Sequence, residues 1–297
     1  MTRESIYLPD RGLDHLVLAV TALNDARETY TQLGFTLTPR AEHSWGTANQ
    51  LVQLQGSFLE VLEVAAPEKL FPHGDRSFSF GAFLNDYSKH REGCAMVVFE
   101  SQDARADRDQ FAQRGLPDLD PFDFERQAKL PDGNSVRVAF SLAFAPPPEM
   151  PDAAFFTCQQ HAPEYFWKPD YQKHPNGAKT LEEVAIIAEH PDSLRPILEK
   201  LQAPDAVHAD PDGLTCETMR GRIRVMTPDN YQLWYGEGAA SSAPATPHFA
   251  AMRIGVTDIQ ATQALLDQQD VRYHWARAGL IIPSISVHGC CLAFAQI

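Results

Sequence analysis

Largely apolar runs with the length of buried strands recur along the chain, and most are followed by a segment with helical spacing. The first run, residues 12–20, carries His15, and a second run, residues 57–64, carries Glu60. Apolar runs of this kind, bounded by turn residues, predict buried strands. A histidine in one strand and a carboxylate in another can share a metal ion. Strand alternation places Glu63 on the face opposite to Glu60.

The same order of elements, one strand, one helix and three strands, is predicted four times. The units cover residues 12–64, 93–161, 181–237 and 247–297, and the last strand of the third unit is predicted at residues 231–235. Regular repetition at this scale indicates a modular architecture. Two such units side by side make a half-barrel around a cavity. The sequence therefore predicts an α+β fold in which four βαβββ modules are paired into two half-barrels.

Two irregular segments separate these units. Residues 65–91 are rich in Pro, Phe and Gly and predict a connector with a short helix that covers the pocket. Residues 162–178 form an aromatic loop, after which the second pair of units begins. We therefore predict two domains, 1–178 and 179–297, with the small-residue segment 238–247 as a linker inside the second.

Composition and charge narrow the classes of partner and compartment. The chain has 297 residues, a formal net charge of −14 and five cysteines. The acidic balance argues against nucleic acid and anionic membrane surfaces as partners. An odd number of cysteines without Cys-x-x-Cys spacing favours free thiols in a reducing compartment. The N-terminus is polar, without an apolar leader, so we expect a cytoplasmic protein.

Several short motifs carry a resemblance to a known family. They are Leu-Asp-His-Leu-Val-Leu at 13–18, Gly-Thr-Ala-Asn at 46–49, Phe-Leu-Glu at 58–60, Cys-Gln-Gln-His at 158–161 and His-Pro-Asn-Gly-Ala at 174–178. With the repeated βαβββ pattern, they resemble the vicinal oxygen chelate superfamily, which includes glyoxalase I, bleomycin-resistance proteins and extradiol dioxygenases. The subgroup that they resemble most is the bacterial glyoxalase-like domain proteins. The resemblance covers about the first two-thirds of the chain.

The resemblance implies a divalent metal held by the first and last strands of paired modules. Carried over to this sequence, His15 and Glu60 match the first pair of ligands, and His161 ends the last strand of the second unit. This two-His-one-carboxylate set suits Fe(II), Mn(II), Ni(II) or Zn(II) and leaves positions for a bidentate ligand. Two other interpretations stay open. His15 could be a core histidine with a backbone partner, and His161 could lie in a loop just past its strand.

The third and fourth units depart from the ligand pattern. The position aligned with His15 in the third unit is Glu183, and the position aligned with Glu60 falls at Gln232 or Trp234. We therefore expect the second half to lack a metal site.

Further candidates lie in the loops of the first half. His43 and His174 are candidate general bases. The candidate substrate-binding residues are Trp45, Thr47, Asn49 and Trp167. For residues 43–49 the alternative is an ordinary polar loop before a strand. For Trp167 and His174 the alternative is a packed aromatic loop between domains.

The function implied by the resemblance is metal-dependent chemistry on the vicinal oxygens of a small substrate, of the lyase or isomerase type. An extradiol-type Fe(II) dioxygenase and a non-catalytic binding or resistance protein are the alternatives. The expected partner is a small molecule, and four units in one chain are compatible with both a monomer and a homodimer.

Overall fold

The computed structural model describes residues 11–129, 135–236 and 243–297, so the N-terminal segment and half of the predicted linker lie outside the described residues. Within the described part of the chain, no helix is long and apolar enough to cross a bilayer.

Among its described residues, the first half contains eight strands and four α-helices. In chain order they are β1 (Leu13–Ala19), α1 (Leu23–Gln32), β2 (Ala41–Glu42), β3 (Thr47–Gln53), β4 (Phe58–Val64), α2 (Phe80–Ser88), β5 (Gly93–Ser101), α3 (Ala104–Gln113), β6 (Phe122–Lys129), β7 (Ser135–Phe144), β8 (Ala154–Gln160) and α4 (Pro163–Phe166).

The second half repeats this order of strands and helices through its last strand. It consists of β9 (Ala178–Ile187), α5 (Arg195–Leu201), β10 (Val207–Asp210), β11 (Gly213–Glu217), β12 (Arg222–Met226), α6 (Pro228–Tyr235), β13 (His248–Val256), α7 (Ile259–Gln268), β14 (His274–Ala276), β15 (Gly279–Ile282) and β16 (Cys291–Gln296).

The strands form two mixed sheets of eight strands with the same topology. The orders are β2-β3-β4-β1-β5-β8-β7-β6 and β10-β11-β12-β9-β13-β16-β15-β14. In each sheet the first strands of the two modules pair antiparallel at the centre, and each first strand pairs in parallel with the last strand of its own module. The predicted fold of four βαβββ modules in two half-barrels is therefore confirmed.

One face of each sheet contributes to a shared apolar core that contains helices α1, α3, α5 and α7. Strand alternation decides which side chains enter it: Leu16 and Leu18 of β1 lie in this core, while Val17 lies in a separate cluster on the other face. The aromatic rings of Phe155 and Phe249 join the two halves, with centroids 5.4 Å apart. We call the face that carries Val17 the inner face of the first sheet.

The prediction of a strand at residues 231–235 was wrong, because α6 occupies this segment. The side chain of Thr227 accepts a hydrogen bond from the backbone N–H of Asn230, and Pro228 follows at the first helical position. Both features start a helix, and Gly236, with φ 71°, ends it in the left-handed conformation that suits glycine.

Candidate functional site

A cavity opens on the inner face of the first sheet. Its atom-free space, including the opening to solvent, is about 530 Å³. Aromatic rings make most of the wall, and helix α2 contributes one of them, as expected for the connector. The lining residues are His15, His43, Trp45, Asn49, Leu51, Phe58, Glu60, Phe80, Phe124, Arg126, Phe140, Leu142, Phe156, Cys158 and Phe166. A few polar groups in an apolar wall are typical of a small-molecule site.

The structure brings His15 and Glu60 together in this cavity. Atom Nε2 of His15 lies 3.7 Å from Oε2 of Glu60, and both residues are buried. The adjacent parallel strands β1 and β4 position the two side chains. The imidazole of His15 stacks on the ring of Phe58 with centroids 4.2 Å apart, which fixes the plane of the imidazole.

The buried Asp14 fixes the other nitrogen of His15. Atom Nδ1 of His15 lies 2.6 Å from Oδ2 of Asp14, and the amide of Gln160 donates a hydrogen bond of 3.1 Å to the other carboxylate oxygen. Neighbouring residues in a regular strand point to opposite faces, but the pairing of β1 with β5 shifts register between Leu13 and His15. This bulge lets Asp14 reach the imidazole of the next residue. Sequence alternation alone does not reveal it.

Glu60 is a buried carboxylate whose direct hydrogen-bond donor is Asn49. The amide of Asn49 donates a hydrogen bond of 2.5 Å to Oε1 of Glu60, and the exposed fraction of Glu60 is 7%. Burying a carboxylate away from water is costly unless charge and hydrogen bonds compensate it. The arrangement therefore favours a cation beside Oε2, the oxygen that faces His15.

His43 and Trp45 form one wall of the cavity. Their rings stack with centroids 4.5 Å apart, and Nδ1 of His43 lies 2.8 Å from the hydroxyl of Thr47. Burial lowers the pKa of His43, and the nearby Glu60 partly offsets this effect. The imidazole is therefore neutral near pH 7 and is able to accept a proton. Thr47 is buried behind His43, outside the set of residues that line the cavity.

His161 does not join His15 and Glu60. It lies one residue beyond β8 and lines a different cavity, together with Asp123. Its Nε2 donates to the hydroxyl of Ser141 over 2.8 Å, and this hydroxyl donates to Asp123. Strand alternation is the physical reason. Cys158 and Gln160 face the inner side of the sheet, so the next residue, His161, faces away from it.

His174 and Trp167 lie behind the cavity wall. The backbone N–H of Thr36 donates to Nδ1 of His174, and Nε2 of His174 donates to the carbonyl of Gln53. Both nitrogens are thus used to attach the aromatic loop to the sheet, and burial lowers the pKa of this histidine. Trp167 packs edge-on against Phe58, outside the cavity lining.

The second module carries other residues at the ligand positions of the first. His15 pairs with Phe58 in the first module, and Glu60 follows Phe58 by two residues. The corresponding first pair in the second module, directly after the bulge of β5, is Met96 with Ala154, which gives Met96 and Phe156 at these positions. Cys158 follows Phe156 on the same face and also lines the cavity. Burial raises the pKa of the Cys158 thiol well above its ordinary range, and nearby carboxylates add to this effect. Among the described residues, no group of three or more His, Cys, Asp or Glu side chains could hold one metal ion.

Arg126 is a cavity residue that our sequence analysis missed. Strand β6 places Phe122, Phe124 and Arg126 on one face by alternation, and the last two line the cavity. The signal was present in the sequence as a Phe-x-Phe-x-Arg pattern.

The second half carries an ion pair at the positions that correspond to His15 and Glu60. The register gives Glu183, as predicted, and Arg224 rather than Gln232 or Trp234, which lie in α6. Atom Nε of Arg224 is 3.0 Å from Oε2 of Glu183. The inner face of this sheet carries several alanines, and the tyrosines of α6 pack against them. Helix α6 therefore fills the space that is a cavity in the first half.

A family model described as a glyoxalase-like domain matches residues 13–202, which is more than half of the chain. The chain belongs to the glyoxalase-like domain family of the vicinal oxygen chelate superfamily. No curated protein sequence matches this glyoxalase-like chain at a significant level.

Solved structures share the fold of this glyoxalase-like protein at low sequence identity. A hypothetical protein from Staphylococcus aureus is 14% identical, with a TM-score of 0.65 over 97% of this chain and 100% of its own. A halotolerant catechol dioxygenase is 11% identical, with a TM-score of 0.56 over 97% of this chain and 87% of its own. A fusion of a xylose isomerase-like TIM barrel with 4-hydroxyphenylpyruvate dioxygenase is 15% identical, with a TM-score of 0.55, and 96% of this chain matches 49% of that protein.

Proposed function

We propose that this protein is a metal-dependent enzyme of the glyoxalase type, which binds two vicinal oxygens of a small substrate and catalyses a lyase or isomerase reaction. The observation that carries the proposal is the pair of facing donor atoms, Nε2 of His15 and Oε2 of Glu60, 3.7 Å apart inside an aromatic cavity.

The two residues fit a divalent metal. Donor atoms that share one metal at about 2.1 Å lie roughly 3–3.5 Å from each other, so a small side-chain movement would suffice. The carboxylate of Asp14 holds Nδ1 of His15, which leaves Nε2 toward Glu60, and a carboxylate behind a ligating histidine is a common partner in metal sites. Two protein donors leave positions for water and a bidentate substrate. When bound, Fe, Mn, Ni or Zn would act as a Lewis acid on the substrate oxygens.

His43 is the residue that we propose to move a proton. It is neutral near pH 7, and its Nε2 has no hydrogen-bond partner among the residues that the structure describes. In the tautomer in which Nδ1–H donates to the hydroxyl of Thr47, Nε2 is the atom that would accept a proton from a bound substrate. An aromatic wall lowers the local dielectric, which strengthens electrostatic interactions inside the cavity.

Two other functions remain candidates. The structural neighbours include a catechol dioxygenase, so ring cleavage of a catechol with Fe(II) and O₂ is the second enzymatic candidate. Non-catalytic binding of a small molecule is the third, because Met96 and Phe156 stand at the positions of the second module that match His15 and Glu60.

Elemental analysis of the purified protein beside the His15→Ala variant tests the proposal. We expect about one metal ion per chain in the wild type and none in the variant. Iron together with O₂ consumption on catechols would favour the dioxygenase. A wild type that holds no metal after reconstitution would overturn the metalloenzyme proposal in favour of the binding protein.

A further inference from the structure

Arg126 places a positive charge in the wall of the cavity. The side chain is half-buried and lines the cavity that contains His15 and Glu60. Burial lowers the pKa of its guanidinium, and the charge of Glu60 partly offsets this effect. Among the described residues it has no hydrogen-bond or ion-pair partner, and it makes no ion pair with Glu60. A guanidinium cannot release its proton at neutral pH, so this half-buried cation suits an anionic ligand.

A surface groove beside the cavity shares Arg126 as a wall. Its basic lining residues are Arg40, Arg126 and Lys168, and no Asp or Glu occurs among the described residues that line it. Arg40 is paired with Glu63, so Arg126 and Lys168 are the cations left for a ligand. The protein carries a formal net charge of −14, so a groove without carboxylates is a local exception. Such a groove attracts anions toward the cavity.

The cavity wall defines the rest of the ligand. Phe124 and Phe140 lie beside Arg126 in the lining, and further aromatic rings surround the other sides. An apolar wall with one unpaired guanidinium suits an apolar body that carries a planar anionic group, because a guanidinium binds a carboxylate through two parallel hydrogen bonds.

We propose that the substrate of this cavity is a small carboxylate with an aromatic or apolar body, and that Arg126 pairs with its carboxylate group. This inference rests on the proposed function, because it assigns a substrate class to the same cavity. The formal charges agree with it. With a divalent metal bound, the formal charges of the metal, Glu60, Asp14 and Arg126 would add to +1. One carboxylate would neutralise this charge.

Two probes that differ in one group test the proposal by isothermal titration calorimetry. Phenylglyoxylate carries a carboxylate where 1-phenylpropane-1,2-dione carries a methyl ketone, and both present two vicinal oxygens. We expect the wild type to bind phenylglyoxylate roughly 10- to 100-fold more tightly, the effect of a charge-assisted hydrogen-bonded pair. The Arg126→Gln variant should lose this preference and keep its affinity for the dione. The titrations are repeated after dialysis against a chelator. A preference that survives the dialysis is due to Arg126, and one that is lost is due to the metal.

The control is Arg137→Gln, on the neighbouring strand β7, where the guanidinium pairs with Glu125 instead of facing the cavity. It should behave like the wild type. Arg126→Lys keeps the charge and should retain part of the preference. Equal affinities for the two probes in the wild type, no binding of either probe, or an unchanged preference in Arg126→Gln would each overturn the proposal. The metal content of the same preparations tests the proposed function separately, since Arg126 is not a metal donor.

Discussion

Atom Nδ1 of His15 lies 2.6 Å from Oδ2 of Asp14, although the two residues are neighbours in one strand. A strand normally sends such neighbours to opposite faces, and the bulge in β1 removes this restriction. The imidazole is thereby held on both sides, by the carboxylate at Nδ1 and by the ring of Phe58 against its plane. The remaining nitrogen, Nε2, therefore points toward Glu60.

The Asp14→Asn variant is expected to bind metal about 10- to 100-fold more weakly than the wild type, because the partner that orients a ligating histidine contributes an effect of this size. Titration with Zn²⁺ or Mn²⁺ measures the affinity, and circular dichroism checks the fold. Gln160→Leu, which removes a contact with Asp14 rather than with His15, should have a smaller effect. An unchanged affinity in Asp14→Asn would show that the carboxylate does not support a ligand.

The Glu60→Gln variant should lose most of the bound metal and keep its fold. In the metal-free state it should also melt at the same or a higher temperature, because it no longer buries a carboxylate beside Asn49. Metal content and thermal melting of the same sample measure the two effects.

Glu63→Gln is the control for this experiment. Glu63 is on the same strand but accepts hydrogen bonds from the backbone N–H of Leu23 and from Arg40, away from the cavity. Its replacement should leave the metal content unchanged. An equal loss of metal in both variants would mean that Glu60 is not the donor.

The fold and the meeting of His15 with Glu60 in one cavity could be predicted because both depend on local patterns. The fourfold repeat fixes the sheet topology, and alternation within β4 separates Glu60 from Glu63. His43, Trp45 and Asn49, which the sequence also suggested, line the same cavity, since the strand that follows the loop of His43 and Trp45 carries Asn49 and pairs with β4.

The rest depends on contacts between distant parts of the chain. The bulge that joins Asp14 to His15 arises from the pairing of β1 with β5, which the sequence of β1 does not specify. His174 resembled a candidate base, but its two backbone partners lie more than 100 positions earlier in the chain. The helix at residues 228–235 was missed because its apolar residues are spaced like those of a short strand, whereas the cap at Thr227 decides the structure.

The free energy of unfolding should fall as the pH drops from about 7.5 to about 5. Burial lowers the pKa of His43, His174 and His248 below the ordinary value of 6.5. The unfolded chain therefore takes up protons near pH 6.5 that the folded protein resists, so stability is lost as the pH falls through this range. Each histidine contributes at most about 1.4 kcal/mol per pH unit. Urea unfolding at several pH values measures the slope.

The His174→Gln variant should show a shallower slope, because one of the three histidines whose pKa is lowered is gone. The exposed His208 provides the matched control, and His208→Gln should keep the slope of the wild type. A slope unchanged by His174→Gln would mean that protonation of this histidine is not resisted by the fold.

Removal of one partner of the ion pair in the second half should lower the free energy of unfolding more than removal of both partners. Glu183 is fully buried, and Arg224 is its partner at 3.0 Å, stacked over Trp234 at 4.4 Å from the ring centroid. Arg224→Met leaves Glu183 buried without this partner and should lower the free energy of unfolding by about 3–5 kcal/mol. Urea unfolding at neutral pH measures the loss.

The double variant Glu183→Met with Arg224→Met should recover most of that stability, because two apolar side chains of similar size need no counter-charge. The other partners of Glu183 are the hydroxyl of Tyr235, which donates to it over 3.2 Å, and the guanidinium of Arg222, whose Nε lies 3.8 Å from Oε2. Tyr235 loses this acceptor in the double variant, so a residual loss of about 1–3 kcal/mol is expected, and a further Tyr235→Phe change should remove it. If the double variant is as unstable as Arg224→Met alone, the pair does more than balance charge, and the space between β9, β12 and α6 depends on the shape of these two side chains.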